Sequence, residues 1–280
     1  RAPAGAAFQA DPLRLLRVYR FAAALGFAVD EQTEELVARQ NELIARVAEE
    51  RTGHELELIM ASHRARDTVG AMAATGLLFA VIPELEAGVG MEQPASHHLD
   101  VFDHSLAALA WMEKIEQDPA AYFASYPEVM ADHLARGRRR LQLRWAALLH
   151  DLGKPASLTI DEDKGGKITF YNHDRAGAEL AEKIGRRLRW RGEDVRTVAE
   201  LIRQHMRPFH LGNVQRQGDL SLKACLRLIR HVGSLLPGLF LLGMADALAG
   251  RGQERPEGVE RDLDQLFGRI EKVRREKVEP

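Results

Sequence analysis

Residues 141–154, LQLRWAALLHDLGK, set the terms for the rest of the chain. Leu143, Ala146, Ala147, Leu149 and Leu152 recur at helical spacing, and Gly153 with Pro155 supplies a stop, so the stretch predicts a buried helix ending at Gly153. The adjacent His150 and Asp151 then fall in the last turn of a core helix. Charge carried there from water needs a partner or a metal ion. Imidazole nitrogen together with carboxylate oxygen suits a divalent ion such as Mn, Fe, Co, Ni or Zn. Neighbouring helical positions diverge by about 100°, so the remaining ligands must arrive from elsewhere.

Candidates lie on both sides. His104 sits early in a helix whose apolar positions Val101, Leu106, Leu109 and Met112 keep the helical period. Asp246 is the only charged residue across 234–250, and its burial calls for a metal or a basic neighbour. His173 precedes the helical run DRAGAELAEKIGRRL, and His205 ends EDVRTVAELIRQH. Any one of these histidines is most simply a core or cap residue with satisfied hydrogen bonds. The ordered set joined to HDLGK is far more specific.

This order resembles the HD superfamily of metal-dependent phosphohydrolases, all-helical domains named for the adjacent His and Asp. His104, His150 with Asp151, and Asp246 match its core pattern; His173 and His205 stand where two-metal members add histidines. The resemblance implies one or two divalent ions (Mn, Ni, Co, Fe, Zn or Mg) acting on a phosphoester, with Asp151 and Lys154 in catalytic roles. Lys154 would present a point charge to the phosphate.

Upstream, residues 8–27 read FQADPLRLLRVYRFAAALGF. Asp11 followed by Pro12 predicts a capped helix start and Gly26 a stop. Arg14, Arg17 and Arg20 form a basic ridge on that helix, which composition alone reads as a solvated face. The segment is also similar to the neck of bacterial class II tRNA nucleotidyltransferases and the related poly(A) polymerases. There a Glu-Asp-x-x-Arg element reads the base of ATP or CTP; Asp11 and Arg14 match it, Arg17 lies one turn on, and Ala10 replaces the glutamate. Residues 30–50 predict one capped helix. Glu50-Arg51 with Glu55-Leu56 resembles the family's ER-x-x-x-EL helix, and residues 70–83 resemble the helix that follows it, with Ile82, Pro83 and Glu84 fitting its hydrophobic-Pro-Glu terminus. The family's Gly-Ser phosphate loop with its Asp-x-Asp pair for Mg is not found here. Asp161-Glu162-Asp163 reads instead as a hairpin tip, and Asp262 and Asp264 as solvated charges. The transferase head, with its Mg, is expected to lie before Arg1, so these residues are not expected to add nucleotides alone.

The expected fold is all-α: a helical neck/body over residues 1–90, then an HD-type helical domain over 91–280 with one short β-hairpin at 158–171 turning at Gly165-Gly166. The length of 280 residues suits two domains. A single cysteine, Cys225, excludes an internal disulfide, and no signal peptide or uninterrupted membrane span is seen, so a cytoplasmic protein is expected. The formal net charge of −2 confines any contact with tRNA or other RNA to local patches. One such patch is the RGRRR run, with Arg138, Arg139 and Arg140 as candidate RNA-binding residues or, equally, a solvated loop. Residues 220–232 predict an amphipathic helix carrying Lys223, Arg227 and Arg230, and 258–276 a charged C-terminal helix. Two other readings compete: a stand-alone HD nucleotide phosphohydrolase, which leaves 8–84 unexplained, and a helical RNA-binding scaffold with an inactive HD site.

Overall fold

A computed structural model of the chain describes residues 4–94, 98–161, 167–250, 252 and 256–278. The chain opens with α1 (Ala4–Ala10), α2 (Arg14–Leu25), α3 (Glu31–Gln40), α4 (Glu49–Ala61), α5 (Ala65–Ala74) and α6 (Leu77–Val81). There follow α7 (Val101–Gln117), α8 (Pro127–Ala135), α9 (Arg139–Leu149) and α10 (Lys154–Ser157). A two-stranded antiparallel hairpin, β1 (Leu158–Asp161) and β2 (Lys167–Phe170), pairs Leu158 with Phe170 and Ile160 with Ile168. Its turn lies outside the described residues. The chain then closes with α11 (His173–Arg187), α12 (Gly192–Gln204), α13 (Arg207–Arg216), α14 (Leu222–Val232), α15 (Leu236–Ala249) and α16 (Val259–Lys277). The architecture is all-α apart from that hairpin.

The centre is α15. It is apolar around its whole circumference except at Asp246, as a helix surrounded by others must be. It packs against α7, α8, α9 and α16. The stretch Leu222–Ala249 is long and apolar enough to cross a membrane, but 72% of its most apolar 18-residue window is buried inside the fold, and it is broken at Gly233, whose φ is +53°. One apolar cluster runs without interruption from Phe8 in the neck to Ile270 in α16.

Four local expectations change. Asp11 does not cap α2: its carbonyl accepts the first turn from Arg14 at 3.1 Å, while its side chain turns toward three guanidinium groups. Residues 30–50 are not one helix. Asp30 caps α3 through Thr33 N at 3.1 Å as expected, but Asn41 donates to the Thr75 carbonyl at 2.9 Å and the chain tightens to a 3-10 turn over Asn41–Arg46. Residues 70–83 are likewise divided, by Gly76 with φ +73°. The helix of the opening motif stops earlier than the periodicity suggests, at Leu149, so His150 and Asp151 occupy the turn just beyond it.

Candidate metal centre

The turn after α9 seats directly on α11. A Cβ on Gly153 would lie 2.1 Å from the His173 carbonyl oxygen and 2.4 Å from Gly177 N, so only glycine permits the two backbones to touch. That contact carries Asp151 to the start of α11 and the end of α12. His173 opens α11 and His205 follows the last residue of α12.

Two triads result. His104, His150 and Asp246 offer ligand atoms within 4.8 Å of one another, and so do Asp151, His173 and His205. His104 Nε2 lies 3.0 Å from Asp246 Oδ1 and 3.3 Å from His150 Nε2. In the second triad His173 Nε2 faces His205 Nε2 at 3.2 Å, and Asp151 Oδ1 is 3.5 Å from His173 Nε2. Asp151 joins the triads, because its Oδ2 is 3.2 Å from His150 Nε2. All six side chains are buried.

The imidazole tautomers are constrained by the backbone. Nδ1 of His150, His173 and His205 each meets a carbonyl three residues earlier, at 2.9, 2.8 and 2.6 Å. A carbonyl only accepts, so Nδ1 carries hydrogen and the neutral ring turns its lone pair outward at Nε2. In the second triad two lone pairs therefore face one another across 3.2 Å with a carboxylate beside them. A cation satisfies all three. The donor set of imidazole and carboxylate fits a divalent transition ion at either triad.

With no cation between the carboxylates, the positive charge they call for falls on His150 itself, and an ion would have to displace that proton from Nε2. Burial alone would drive protons off His150, but the Asp151 and Asp246 carboxylates outweigh it and push the imidazole up to about 9. Burial opposes ionisation of Asp151 and Asp246 as well; neighbouring His150, with Lys154 for Asp151 and His104 for Asp246, holds both well below the usual carboxylate range. His205 is pushed down to about 4 by burial and by His150 and His173, and so stays neutral. Lys154 Nζ donates to Asp151 Oδ2 and to Gln93 Oε1, both at 2.6 Å. Gln93 carries no motif that would have singled it out in the sequence.

The triads open into a cavity of about 480 Å³. Asp151, Lys154, His173 and Asp246 lie on its wall; Phe170, Met206, Pro208, Phe209 and Leu263 make most of the rest apolar, with Asn213, Arg216 and Asp262 among its polar residues. Arg216 Nε pairs with Asp262 Oδ2 at 2.5 Å, so Asp262 is not merely solvated. Asp264 also has a partner, accepting from Ser125 N at 3.1 Å.

In the neck, Asp11 Oδ2 lies 3.8 Å from Arg14 Nε and 4.0 Å from Arg17 Nη1, and Asp11 Oδ1 lies 3.9 Å from Arg51 Nη2. Behind them buried Glu55 holds Arg17 Nε at 3.0 Å and Arg20 Nε at 2.5 Å. Within the RGRRR run Arg138 and Arg139 are half-buried and bonded to the fold, while Arg136 and Arg140 are exposed. Arg138 pairs with Glu57 at 2.7 Å and Asp194 at 2.8 Å, Arg139 donates to Gln142 at 2.9 Å, and Arg140 donates to the Glu116 carbonyl at 2.8 Å.

The HD domain family model matches residues 101–235, and the model described as the probable RNA and SrmB-binding site of polymerase A matches 26–88. Asp246 lies beyond the first span, and only the fold brings it to His104. The chain is 35% identical over 254 residues to an A-adding tRNA nucleotidyltransferase of Deinococcus radiodurans, covering 89% of this chain and 52% of that protein. It is 34% identical over 271 residues to a CC-adding tRNA nucleotidyltransferase of Thermus thermophilus, covering 94% and 54%. A multifunctional CCA protein of Pseudomonas fluorescens is 34% identical over 191 residues, covering 65% and 40%. The chain spans about half the length of the first two relatives.

Proposed function

The chain belongs to the tRNA nucleotidyltransferase and poly(A) polymerase family, matching its neck and HD regions, and on that premise we propose a metal-dependent phosphohydrolase over residues 91–280 beside a nucleotide- and RNA-binding neck over 1–90. The observation that carries the hydrolase reading is the facing of His173 and His205 Nε2 at 3.2 Å, with both Nδ1 atoms committed to carbonyls. His104, His150 and Asp246 would hold one divalent ion and Asp151, His173 and His205 a second. When bound, such ions supply Lewis acidity toward a phosphoester and make water a competent nucleophile near neutral pH.

The chain's own residues do the positioning. Asp151 turns one oxygen toward each triad, and Lys154 holds the carboxylate through Oδ2, the oxygen that faces His150. Lys154 also lines the cavity, where its ammonium is placed to attract phosphate oxygens. The apolar wall around Phe170 and Phe209 excludes water from the bound ester's organic part. In the neck, Asp11 accepts and Arg14 donates hydrogen bonds to the edge of a nucleotide base, with Arg17 held beside them by Glu55. The substrates that follow are phosphomonoester or cyclic phosphodiester ends of nucleotides or RNA, with ATP or CTP at the neck, in a cytoplasmic tRNA-processing protein.

Hydrolysis of bis(p-nitrophenyl) phosphate after loading with Mn, Co or Ni tests the proposal. Turnover should depend on the metal and fall at least about 100-fold in Asp151→Ala. Unchanged turnover in that variant refutes the metal mechanism. Tight RNA binding with no metal uptake would support the scaffold reading instead.

A further inference from the structure

Arg138 and Arg144 are paired within the fold, and a row of cations without ion pairs among the described residues lies on α14. Ser221 caps this helix through Ala224 N at 3.2 Å. The inner face buries Cys225, Leu228, Ile229 and Val232, and α14 packs against α16. Lys223, Arg227 and Arg230, spaced i, i+4 and i+7, form one exposed stripe on the other side. Among the described residues none of the three makes an ion pair, whereas Arg187, Arg203, Arg216, Arg274 and Arg275 all have carboxylate partners. His231, one position on, is held by Gln204 at 2.8 Å and Glu200 at 3.4 Å and does not belong to the stripe.

We propose that the outer face of α14 binds an RNA strand through its phosphates. The inference rests on the RNA-binding reading of the chain and adds a surface that neither the neck nor the metal centre supplies. Three unneutralised cations in line give this face a local positive field in a chain whose net charge is −2, and that field attracts a polyanion. At 1.5 Å per residue the stripe is about 10 Å long, within reach of successive phosphates of one strand. Its chemistry favours RNA over a lipid surface. An interfacial helix inserts an apolar face between headgroups, but the apolar face of α14 is already inside the core, and among the described residues the cations are flanked by just Leu222 and Leu226 as large apolar groups. The contact expected of these cations is with phosphate oxygens, which positions a strand and carries no direct sequence information.

Fluorescence anisotropy of the chain with a fluorescein-labelled tRNA, titrated between about 50 and 200 mM salt, provides the test. The variant carrying Lys223→Gln, Arg227→Gln and Arg230→Gln should bind at least tenfold more weakly at the lowest salt. Its slope of log affinity against log salt should be shallower by about 2 to 3, at roughly 0.7–0.9 for each phosphate that is no longer neutralised. Arg186→Gln, which removes an exposed cation already paired with Glu182, should leave the slope unchanged. Circular dichroism and the melting temperature should match the parent, since all three side chains are exposed. If the parent binds tRNA and the triple variant keeps its slope, the α14 surface is refuted and the RNA reading stands. If the parent does not bind tRNA, both fall. Binding to vesicles of anionic phospholipid that the variant alone loses, with tRNA binding intact, overturns the inference in favour of a membrane contact.

Discussion

A neutral imidazole has one lone pair to offer, and in His150, His173 and His205 a carbonyl on the preceding turn has already settled which nitrogen carries it. The triads should therefore load separately. After dialysis against Mn or Co and removal of excess, His173→Ala should lose the ion of its own triad and keep the other, while Asp151→Ala, which touches both, should lose most of each. Metal analysis by mass spectrometry reads this directly, and saturation at about 100 times the dissociation constant should stabilise the parent by about 2.7 kcal/mol. A different histidine governs acid stability. His133 on α8 is buried with its ring against Gly238 of α15, and burial, aided by Arg139 and Arg136, pushes it down to about 4. Because its folded pKa lies below the unfolded value of about 6.5, the unfolded chain binds the extra proton between those values. Stability from this residue is complete above about pH 6.5 and is lost as pH falls toward 4, by up to about 3 kcal/mol. His133→Leu should remove that dependence: the stability difference between parent and variant, measured by urea unfolding in chelator, should shift by this amount between pH 7 and pH 4. A difference independent of pH would contradict a buried neutral His133.

At the scale of elements, the position of Gly153 matters more than its flexibility. Its backbone lies against His173 and Gly177, and an added methyl group has nowhere to go except into the α11 backbone. Gly153→Ala should cost about 2–4 kcal/mol by forcing α11 away from the motif turn, and should weaken metal uptake together with stability. Gly70 in α5 is the opposite case, since a Cβ there meets nothing within 4 Å; Gly70→Ala should stabilise by about 0.5–1 kcal/mol. Equal effects from the two substitutions, compared by thermal melts, would show that helix propensity rather than close approach explains Gly153. The same contrast marks what could be read from the sequence. Periodicity located α7, α9, α11, α12, α14 and α16, and the types of residue at 104, 150, 151, 173, 205 and 246 named the side chains that converge. It missed the break at Asn41, because a hydrogen bond to Thr75, 34 residues away, leaves the apolar spacing undisturbed. It also missed that the RGRRR run faces carboxylates and carbonyls, since Glu57, Asp194 and Glu116 meet it only in the folded chain.

Across the whole molecule, buried charge joins α7 and α9 to the ends of α4 and α5. Arg144 of α9 sends Nε and Nη2 to Glu116 Oε2 of α7 at 3.0 and 2.8 Å, and Nη1 to the carbonyls of Met60, at 2.9 Å, and Ser62, both at the end of α4. Glu113 of α7 accepts from Ala65 N at 2.9 Å at the start of α5. Burial pushes Glu116 up, and Arg144 is the neighbour that most opposes it. Arg144→Met therefore leaves a buried carboxylate and two carbonyls without their donor, at about 3–5 kcal/mol. Pairing it with Glu116→Gln removes the stranded charge, so the double variant should recover part of that loss, a coupling a double-mutant cycle will measure. Because the apolar core is continuous across residue 90, the parent should melt in a single transition, and the destabilised variant should melt earlier, also in one. Two separated transitions in the parent, by calorimetry, would instead show that the helices before α7 fold on their own and that Arg144 is only a local contact.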